Sequence, residues 1–286
     1  MKTLLIDANN LIHRTYWIAK NRSSETPDQI NNFHIFLTLN AIFSYVSAYV
    51  PDVIYAAWDE KPDYEANVRK TMLTEYKGNR SNDISPHQNN EIIKQLFTYL
   101  SIKSIFPREL EADDVIAYIC NETPGHKKIL SVDKDFLQLI NENIVWFDPI
   151  RKEDINIHNF AAKTGYANTK EWMIAKCLGG DKSDNVLGVP KFGKVTIQKY
   201  LNGLIELNEE QMEIFHRNQE IFSLAKYSTM EREMTYYADQ LKDVISTDWD
   251  KFIDLCNAKE LFSITKNKTK WYNLFFLKSK LKSMFS

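Results

Sequence analysis

Short runs of apolar residues alternate along the chain with longer segments in which apolar residues recur every three or four positions. The runs cover residues 3–6, 53–58, 102–106, 128–132 and 144–147 and are rich in β-branched and aliphatic side chains. Continuous apolarity predicts strands buried on both faces, and the segments between them predict helices. This order predicts an α/β fold in which helices cover both faces of a mostly parallel sheet.

The helical patterns have clear limits. Residues 30–50 form one predicted helix, which stops at a proline, and residues 89–100 form another. Beyond about residue 155 the pattern is mainly helical, and an amphipathic segment over 171–178 ends at two glycines. We therefore predict an α/β core over residues 1–155 and a helical region over residues 156–286.

Acidic residues stand where the predicted strands end. Asp7, Asp59 and Asp133 each follow a strand, and an acidic stretch over 109–116 begins just beyond a fourth. Ligands of parallel sheets bind outside the carboxyl ends of the strands, so we expect these acids to converge and hold a metal ion. The alternative is four separate helix caps, because a single aspartate at a strand end is usually a cap or turn residue.

The stretch 109–116 crowds four carboxylates together: Glu109, Glu111, Asp113 and Asp114. At helical spacing Glu111 and Asp114 lie on one face, with Asp113 turned only partly away. Crowded carboxylates raise one another's pKa unless a cation lies among them. The alternative is the solvated first turn of a helix, where the helix dipole favours acids.

Length, charge and cysteine content narrow the classes of protein. The chain has 286 residues, 44% hydrophobic and 26% charged, with a net charge of −2, as in an ordinary globular protein. It contains no apolar run of the ~20 residues that span a membrane and no signal-peptide pattern. Three widely spaced cysteines indicate buried thiols in a reducing compartment, so a cytoplasmic location is expected.

A glycine-bearing hairpin over residues 188–194 joins the amphipathic segment to a predicted helix that starts at Val195. Such a helix–hairpin–helix, over about residues 171–202, can direct backbone N–H groups at phosphates. A plain connection between two helices would show the same pattern.

Several motifs occur in the order in which one nuclease family has them, over roughly residues 3–202. They are the strand-end aspartate Asp7, Trp58-Asp59, Glu75-Tyr76-Lys77-Gly78-Asn79-Arg80, Glu111-Ala112-Asp113-Asp114, Val132-Asp133-Lys134-Asp135 and Gly180-Asp181-Lys182-Ser183-Asp184-Asn185. Each motif is weak alone, but their joint order is specific. The chain resembles the 5′-nuclease (flap endonuclease) superfamily, particularly the bacteriophage enzymes and the 5′-nuclease domain of bacterial DNA polymerase I.

This resemblance implies a PIN-like core and a magnesium-dependent, structure-specific 5′ nuclease of DNA replication or repair. Its expected substrates are branched or nicked DNA with a 5′ flap and RNA–DNA primer ends, hydrolysed with two metal ions. Oxygen ligands, with no His or Cys near the motifs, favour Mg²⁺ or Mn²⁺ over zinc. By resemblance, Asp7, Asp59, Glu111, Asp113 and Asp114 hold one metal cluster, and Asp133, Asp135, Asp181 and Asp184 surround a second cation.

The resemblance also assigns roles to basic and aromatic residues. It implies a helical arch over about residues 61–100, through which a single strand passes. Lys77 is expected to stabilise the scissile phosphate with support from Arg80 and Arg69, and Tyr76 to stack on a base or sugar. An isolated Tyr-Lys-Gly-Asn-Arg segment would more simply be a solvated basic face.

The hairpin, by resemblance, grips duplex DNA, often through a K⁺ ion held by its carbonyl groups. This chain has Lys191 where the family usually has glycine, and Phe192 where it has a small aliphatic residue. A direct contact between Lys191 and phosphate is therefore an alternative to a K⁺ site. The residues assigned to DNA binding are Gly188, Lys191, Gly193 and Lys194.

Two other functions compete with this one. A PIN-type ribonuclease would share the strand-end aspartates, but such domains are shorter and lack the arch motif and the hairpin. A scaffold that binds branched DNA without cutting it would have lost acids, all of which are present here.

The C-terminal segment is rich in lysine and aromatic residues. From residue 266 onward it contains six lysines, no acid, and Trp271, Phe275 and Phe276. A helix docked on its own domain would explain this segment, and contact with a single-strand-binding protein or a clamp is the alternative. A monomer is expected, and the lack of a polymerase domain after the nuclease motifs favours a bacteriophage origin.

Overall fold

The computed structural model describes residues 1–22, 26–60, 67–79, 83–243, 245 and 247–277. Its strands are β1 (Lys2–Asp7), β2 (Val53–Ala57), β3 (Ile102–Ile105), β4 (His126–Leu130), β5 (Ile144–Asp148), β6 (Glu153–Ile155), β7 (Gly180–Asp181) and β8 (Val186–Leu187). β7 and β8 form a separate small ribbon, and the other six form one sheet in the order β3-β2-β1-β4-β5-β6. All neighbours in this sheet are parallel except β5 and β6, so the mostly parallel sheet is confirmed.

Helices occupy most of the connections and most of the chain beyond residue 155. They are α1 (Ala8–Arg22), α2 (Pro27–Tyr49), α3 (Val68–Met72), α4 (Asn90–Tyr99), α5 (Ala112–Glu122), α6 (Phe160–Thr164), α7 (Thr169–Gly179), α8 (Lys194–Leu201), α9 (Glu209–Phe222), α10 (Leu224–Tyr227), α11 (Glu231–Lys242), α12 (Trp249–Ala258), α13 (Phe262–Thr265) and α14 (Lys268–Tyr272). Short 3₁₀ turns cover Ser85–His87 and Lys134–Leu139. None of the described helices is long and apolar enough to cross a membrane.

Both faces of the sheet are buried, as the continuous apolar runs predict. Along β1, Leu4 and Ile6 point to one face and Leu5 to the other, and each is at most 1% exposed. The Leu4 face packs against α1, α2, α4 and α12, and the Leu5 face packs against α5 and α11. The carboxyl ends of the strands are therefore held in place by a sheet that helices cover on both faces.

The helices after residue 224 return to the sheet instead of forming a separate region. Phe252, Trp271 and Phe275 belong to the same buried cluster as Leu4, and Tyr237 belongs to the cluster on the opposite face. Helices of the predicted region 156–286 therefore pack on the sheet of the α/β core, and the boundary near residue 155 stays a prediction. Docking of the C-terminal segment on its own domain is confirmed as far as residue 277. The lysines at 278, 280 and 282 lie outside the described residues.

Helix α4 lies within the range of the predicted arch, residues 61–100, but packs in the core. Ile93, Leu96 and Phe97 of α4 are 0% exposed and pack in the Leu4 cluster, so α4 belongs to the core. Residues 61–66 and 80–82, which include Arg80, lie outside the described residues.

Candidate active site

Five aspartates line one cavity, and four of them come from separate elements at the carboxyl edge of the sheet. Asp7 ends β1, and Asp59 lies just beyond β2. Asp133 follows β4, and Asp113 is in the first turn of α5. The cavity has a volume of about 890 Å³ and is also lined by Lys77. The strand-end aspartates therefore meet, because parallel strands end on one edge of the sheet.

Asp7 is buried in an environment of negative charge. The Ser131 hydroxyl donates to Asp7 Oδ2 at 2.7 Å, and the Asn10 N–H donates to Oδ1 at 3.1 Å. Burial, and then the charge of Asp59, raise the pKa of Asp7 to about 7 in spite of these two hydrogen bonds. A cation bound nearby would stabilise the ionised carboxylate.

Asp113, like Asp7, lies close to other carboxylates. Burial raises its pKa well above the usual range, and the charges of Asp133, Asp7 and Asp59 add to this effect, although Lys77 opposes it. Asp59 in turn accepts the first backbone N–H of α5 at 2.7 Å, where the helix dipole favours negative charge. We refer to Asp7, Asp59, Asp113 and Asp133 as the acidic group.

Glu111 lies beside the acidic group and is held by three donors. Its Oε1 accepts from Lys77 Nζ at 2.7 Å, and its Oε2 accepts from the Tyr76 hydroxyl at 2.9 Å and from Arg69 Nη1 at 3.3 Å. Burial alone would raise the pKa of Glu111, but the charges of Lys77 and Arg69 outweigh it and hold the pKa at about 2. Glu111 is therefore ionised at neutral pH and fixes the position of the Lys77 ammonium.

Asp114 and Arg69 form a buried ion pair. Arg69 Nη1 and Nη2 each donate to the Asp114 carboxylate at 2.7 Å, and Arg69 Nε donates to the Ile221 carbonyl at 2.7 Å. Asp114 is 0% exposed and Arg69 is 2% exposed. Two expectations are therefore corrected. The Asp114 oxygens are bonded to Arg69 rather than directed at a metal site, and Arg69 is enclosed and cannot reach a phosphate.

Tyr76 is also enclosed. It is 3% exposed and packs with Cys177, Val186 and Phe222. Its hydroxyl donates to Glu111, and burial raises the pKa of this phenol far above its usual range. The expected stacking of Tyr76 on a base or sugar is thus corrected, because its ring lies inside the protein.

Lys77 connects the acidic group to the segment of Asp181 and Asp184. Its backbone is left-handed (φ 56°), and its N–H donates to the Asp184 carbonyl at 2.8 Å. Burial would lower the pKa of Lys77, but the charge of Glu111 outweighs it and raises the pKa well above the usual range. The ammonium that lines the cavity is therefore protonated at neutral pH.

A second cavity, of about 430 Å³, adjoins the first at Asp133 and is also lined by Asp135 and Asp181. Lys176 Nζ donates to the Asp135 carboxylate and, at 3.0 Å, to Asp181 Oδ2. Burial and the charge of Asp133 raise the pKa of Asp135 to about 7, although Lys176 opposes them. Burial alone would raise the pKa of Asp181, but Lys176 and the hydrogen bonds from Ser183 together lower it.

Asp184 is 7% exposed and does not line either of these two cavities. It nevertheless lies near Asp135, whose pKa its charge raises. The structure thus brings Asp133, Asp135 and Asp181 together and leaves Asp184 at a more enclosed position.

The hairpin after β8 has the geometry of a type II turn. The Phe192 N–H donates to the Val189 carbonyl at 3.1 Å, Pro190 stands at the second position, and Lys191 at the third has φ 71°. A glycine would adopt this backbone without strain, which explains why glycine is usual here. Lys191 itself is exposed, as are Gly193 and Lys194 at the start of α8.

The glycine at position 188 is explained by a close contact between two backbone segments. A Cβ at this position would lie 2.4 Å from the Gly179 carbonyl carbon, so only glycine allows the backbone of the hairpin to approach α7. The four predicted DNA-contact residues therefore fall into two groups. Lys191, Gly193 and Lys194 face outward, whereas Gly188 packs inward.

The sequence pattern missed several side chains that line the cavities. Lys176 lies on α7, where helical periodicity indicated only the helix. His13, Trp17 and His87 line the first cavity, and Trp17 Nε1 donates to His13 Nε2 at 3.1 Å. The four-residue spacing of His13 and Trp17 places both side chains on one face of α1, and this spacing could have indicated from the sequence that they lie together. The expectation of no histidine near the site is corrected.

In the part of the chain that the structure describes, Asp, Glu, His and Cys side chains form no ready-made group of three that could hold a metal ion. Lysines and Arg69 take several of the carboxylate oxygens instead. Any cation that enters must therefore compete with the side chains of the protein itself.

The family model described as 5′-3′ exonuclease, N-terminal resolvase-like domain, matches residues 2–165. The 5′-3′ exonuclease of Mycoplasmopsis pulmonis is 30% identical over 277 residues, which cover 93% of this chain and 86% of that protein. DNA polymerase I of Caldicellulosiruptor bescii is 29% identical over 224 residues, or 73% of this chain and 25% of the polymerase.

Among solved structures, the bacteriophage T5 flap endonuclease in a pseudo-enzyme-product complex with DNA and metal ions has a TM-score of 0.67 at 17% identity, covering 85% of this chain and 98% of that chain. At this identity the likeness concerns the fold, and it confirms the predicted PIN-like architecture. The relatives in sequence confirm the predicted nuclease activity, the hydrolysis of phosphodiester bonds. The chain belongs to the 5′-3′ exonuclease family.

Proposed function

We propose that this protein is a structure-specific 5′ nuclease that cleaves DNA at 5′ ends, flaps and nicks, and removes RNA primers, with Mg²⁺ as cofactor. The observation that carries the proposal is the acidic group beside the protonated Lys77 at the open edge of the sheet. Concentrated carboxylates would repel the phosphates of DNA, so cations are needed between them. The position of Lys77 suits a phosphate oxygen that approaches those cations.

The donor set fits hard divalent cations. Carboxylate oxygens suit Mg²⁺, and Mn²⁺ as a substitute. Burial, and then neighbouring negative charge, raise the pKa values of Asp7 and Asp135 to about 7, so a bound cation would stabilise both ionised carboxylates. Asp7, Asp59, Asp113 and Asp133 would hold one ion, and Asp133, Asp135 and Asp181 a second, with Glu111 and Asp184 acting through hydrogen bonds or water. When bound, the two ions supply an activated water and stabilise the leaving oxygen.

The Lys77 ammonium is held in a position from which it can bind the scissile phosphate. Its side chain is 13% exposed, is fixed by Glu111 at 2.7 Å, and lines the cavity of the acidic group. A charge held in place before the reaction needs no reorganisation as charge develops on the phosphoryl oxygens. Support from Arg80, expected from the resemblance, is retained as part of the proposal.

The hairpin extends the proposal to duplex DNA. Lys191 and Lys194 are exposed on either side of Gly193, which opens α8. Direct contact of these ammonium groups with phosphates is the favoured arrangement, and K⁺ held by the hairpin carbonyls is the alternative. The protein would act as a monomer on branched DNA in the cytoplasm, with a single-strand-binding protein or clamp as a candidate partner.

A labelled oligonucleotide with a 5′ flap tests this function directly. We expect cleavage near the base of the flap with Mg²⁺ or Mn²⁺ and none with EDTA. Binding without cleavage under all conditions would support the scaffold instead, and preference for single-stranded RNA over the flap would support a PIN-type ribonuclease.

Two substitutions sharpen the test. Asp133→Asn is expected to abolish turnover and leave flap binding largely intact, whereas Asp239→Asn, on the surface of α11, should preserve both. Lys77→Ala should slow cleavage far more than it weakens flap affinity, with exposed Lys70→Ala as its control. Equal losses of rate and affinity for Lys77→Ala would mean that Lys77 only holds the strand.

A further inference from the structure

Lys176 lies between two acids of the second cavity. Its side chain is 9% exposed, and its ammonium pairs with Asp135 and, at 3.0 Å, with Asp181. The same ammonium lies 4.6 Å from the centre of the Phe222 ring, so its flank is apolar. A lysine at this degree of burial is stable only with such partners.

The position of Lys176 conflicts with a divalent cation at the same two carboxylates. Two positive charges a few ångströms apart in an enclosed site repel strongly. The ammonium must therefore move before a cation can bind both Asp135 and Asp181. Space for this movement exists, because Lys176 lines the second cavity, which measures about 430 Å³. Trp172 lines the same cavity, and its ring centre is 5.9 Å from Lys176 Nζ.

We propose that Lys176 is a built-in counter-ion that a divalent cation must displace to occupy the second site. Lys176 is thus a positioning residue that makes the second site weaker than the first and offsets the negative charge of Asp135 and Asp181 when no metal is bound. This inference rests on the proposed function, which assigns both aspartates to the second cation.

Titration of the full-length protein with Mn²⁺, followed by calorimetry and by electron paramagnetic resonance of free Mn²⁺, tests the inference without measuring activity. Wild type is expected to show a tight and a weak class of site. Lys176→Met removes the charge but keeps an apolar stem over Phe222, and it should tighten the weak class at least tenfold, or about 1.4 kcal/mol. Lys176→Arg keeps the charge and should leave the weak class weak.

Lys128→Met is the matched control. Lys128 pairs with Asp154 at 2.8 Å and is 20% exposed, but it lies away from both cavities. Its removal should leave both classes of Mn²⁺ site unchanged.

Thermal unfolding gives a second readout. Lys176→Met leaves the buried Asp135 without its partner, so its metal-free Tm should fall below that of wild type, and Mn²⁺ should raise its Tm by a larger increment. An equal or smaller increment, together with an unchanged or weakened weak site, would overturn the inference.

These results separate the inference from the proposed function. If wild type cleaves a flap with Mg²⁺ and binds Mn²⁺ in two classes, but Lys176→Met does not tighten the weak class, only the role of Lys176 is wrong. If wild type neither cleaves the flap nor binds Mn²⁺, the proposed function and the role of Lys176 are both wrong.

Discussion

Arg69 joins three helices from inside the protein. Its guanidinium donates to Asp114 in α5 and to the Ile221 carbonyl in α9, and it lies 4.6 Å from the ring of Tyr227 in α10. Arg69 also donates to Glu111, which in turn fixes Lys77. The charge of Arg69 therefore acts on the site through neighbouring carboxylates rather than through DNA.

Arg69→Met should lower the free energy of unfolding by about 3–5 kcal/mol, because it leaves a buried carboxylate without a counter-charge. Arg232→Met is the matched control: Arg232 also pairs with a carboxylate, Glu109 at 2.6 Å, but is 72% exposed, and its loss should cost about 1 kcal/mol or less. Urea denaturation measures both. A loss of about 1 kcal/mol or less for Arg69→Met, as for an exposed pair, would contradict the buried ion pair.

Asp7 couples stability to pH in the metal-free protein. Its pKa in the folded state is about 7, above the ordinary 3.8. Between these values the folded state binds more protons than the unfolded state, so the contribution of Asp7 to stability falls as pH rises. Asp7→Asn should therefore gain stability relative to wild type as the pH rises from about 4 to about 7 in EDTA.

Thermal melts of both proteins across this range measure the gain. Titrating groups that do not interact with Asp7, such as His34, whose pKa burial lowers to about 4, are common to both proteins and cancel in the difference. A difference in Tm that is constant with pH would contradict the raised pKa of Asp7.

Helix α11, near the C-terminal end of the described chain, positions the loop of residues 106–109. Glu233 accepts the backbone N–H groups of Arg108 at 3.2 Å and Glu109 at 2.8 Å, and Gln240 bonds to both the N–H and the carbonyl of Phe106. The segment that leads to Glu111 is thereby fixed by residues more than a hundred positions away. Helix α11 therefore supports the site without touching either cavity.

The hairpin between β8 and α8 stores backbone strain at Lys191. A left-handed backbone costs a residue other than glycine roughly 1 kcal/mol. Lys191→Gly should therefore be more stable than Lys191→Ala by about that amount, as measured by chemical denaturation. Equal stability of the two variants would contradict the type II turn.

The same pair of variants tests the charge of Lys191. Both substitutions remove one ammonium, so both should weaken binding to duplex DNA and reduce its salt dependence by about one counterion. Lys163→Ala, on α6, is a control that should leave DNA binding unchanged. An unchanged salt dependence for Lys191→Ala would mean that Lys191 does not contact phosphate.

In the whole molecule, the C-terminal helices complete the core instead of forming an appendage. Trp271 is 4% exposed and lies 4.7 Å from the ring of Phe43 in α2 and 5.7 Å from that of Phe252 in α12. Residues from both ends of the described chain therefore share one apolar cluster. Unfolding should be cooperative, because neither half covers the sheet alone.

Trp271→Ala should lower the free energy of unfolding by about 3–5 kcal/mol, with a single transition, because it opens a cavity in this shared core. Phe262→Ala is the control, since Phe262 is 54% exposed and its loss should cost about 0.5 kcal/mol or less. Two separate transitions in wild type would instead support a division of the chain near residue 155.

Local pattern is sufficient for the sheet and for the place of the site. Apolar runs buried on both faces, such as 53–58, predict parallel strands, and the direction of such strands puts Asp7, Asp59 and Asp133 on one edge. The edge strand β6 escapes prediction, because three residues with two acids carry no apolar signal.

What the tertiary structure alone decided is which side chain meets which. Arg69 bonds to a carbonyl 152 positions away, and Lys176 bonds to Asp135, 41 positions away. Periodicity carries no information about such partners, since burial and charge depend on elements that meet only after folding. The acidic edge therefore follows from the sequence. The enclosure of Arg69, Tyr76 and Asp114, and the place of Lys176 between two acids, follow from packing.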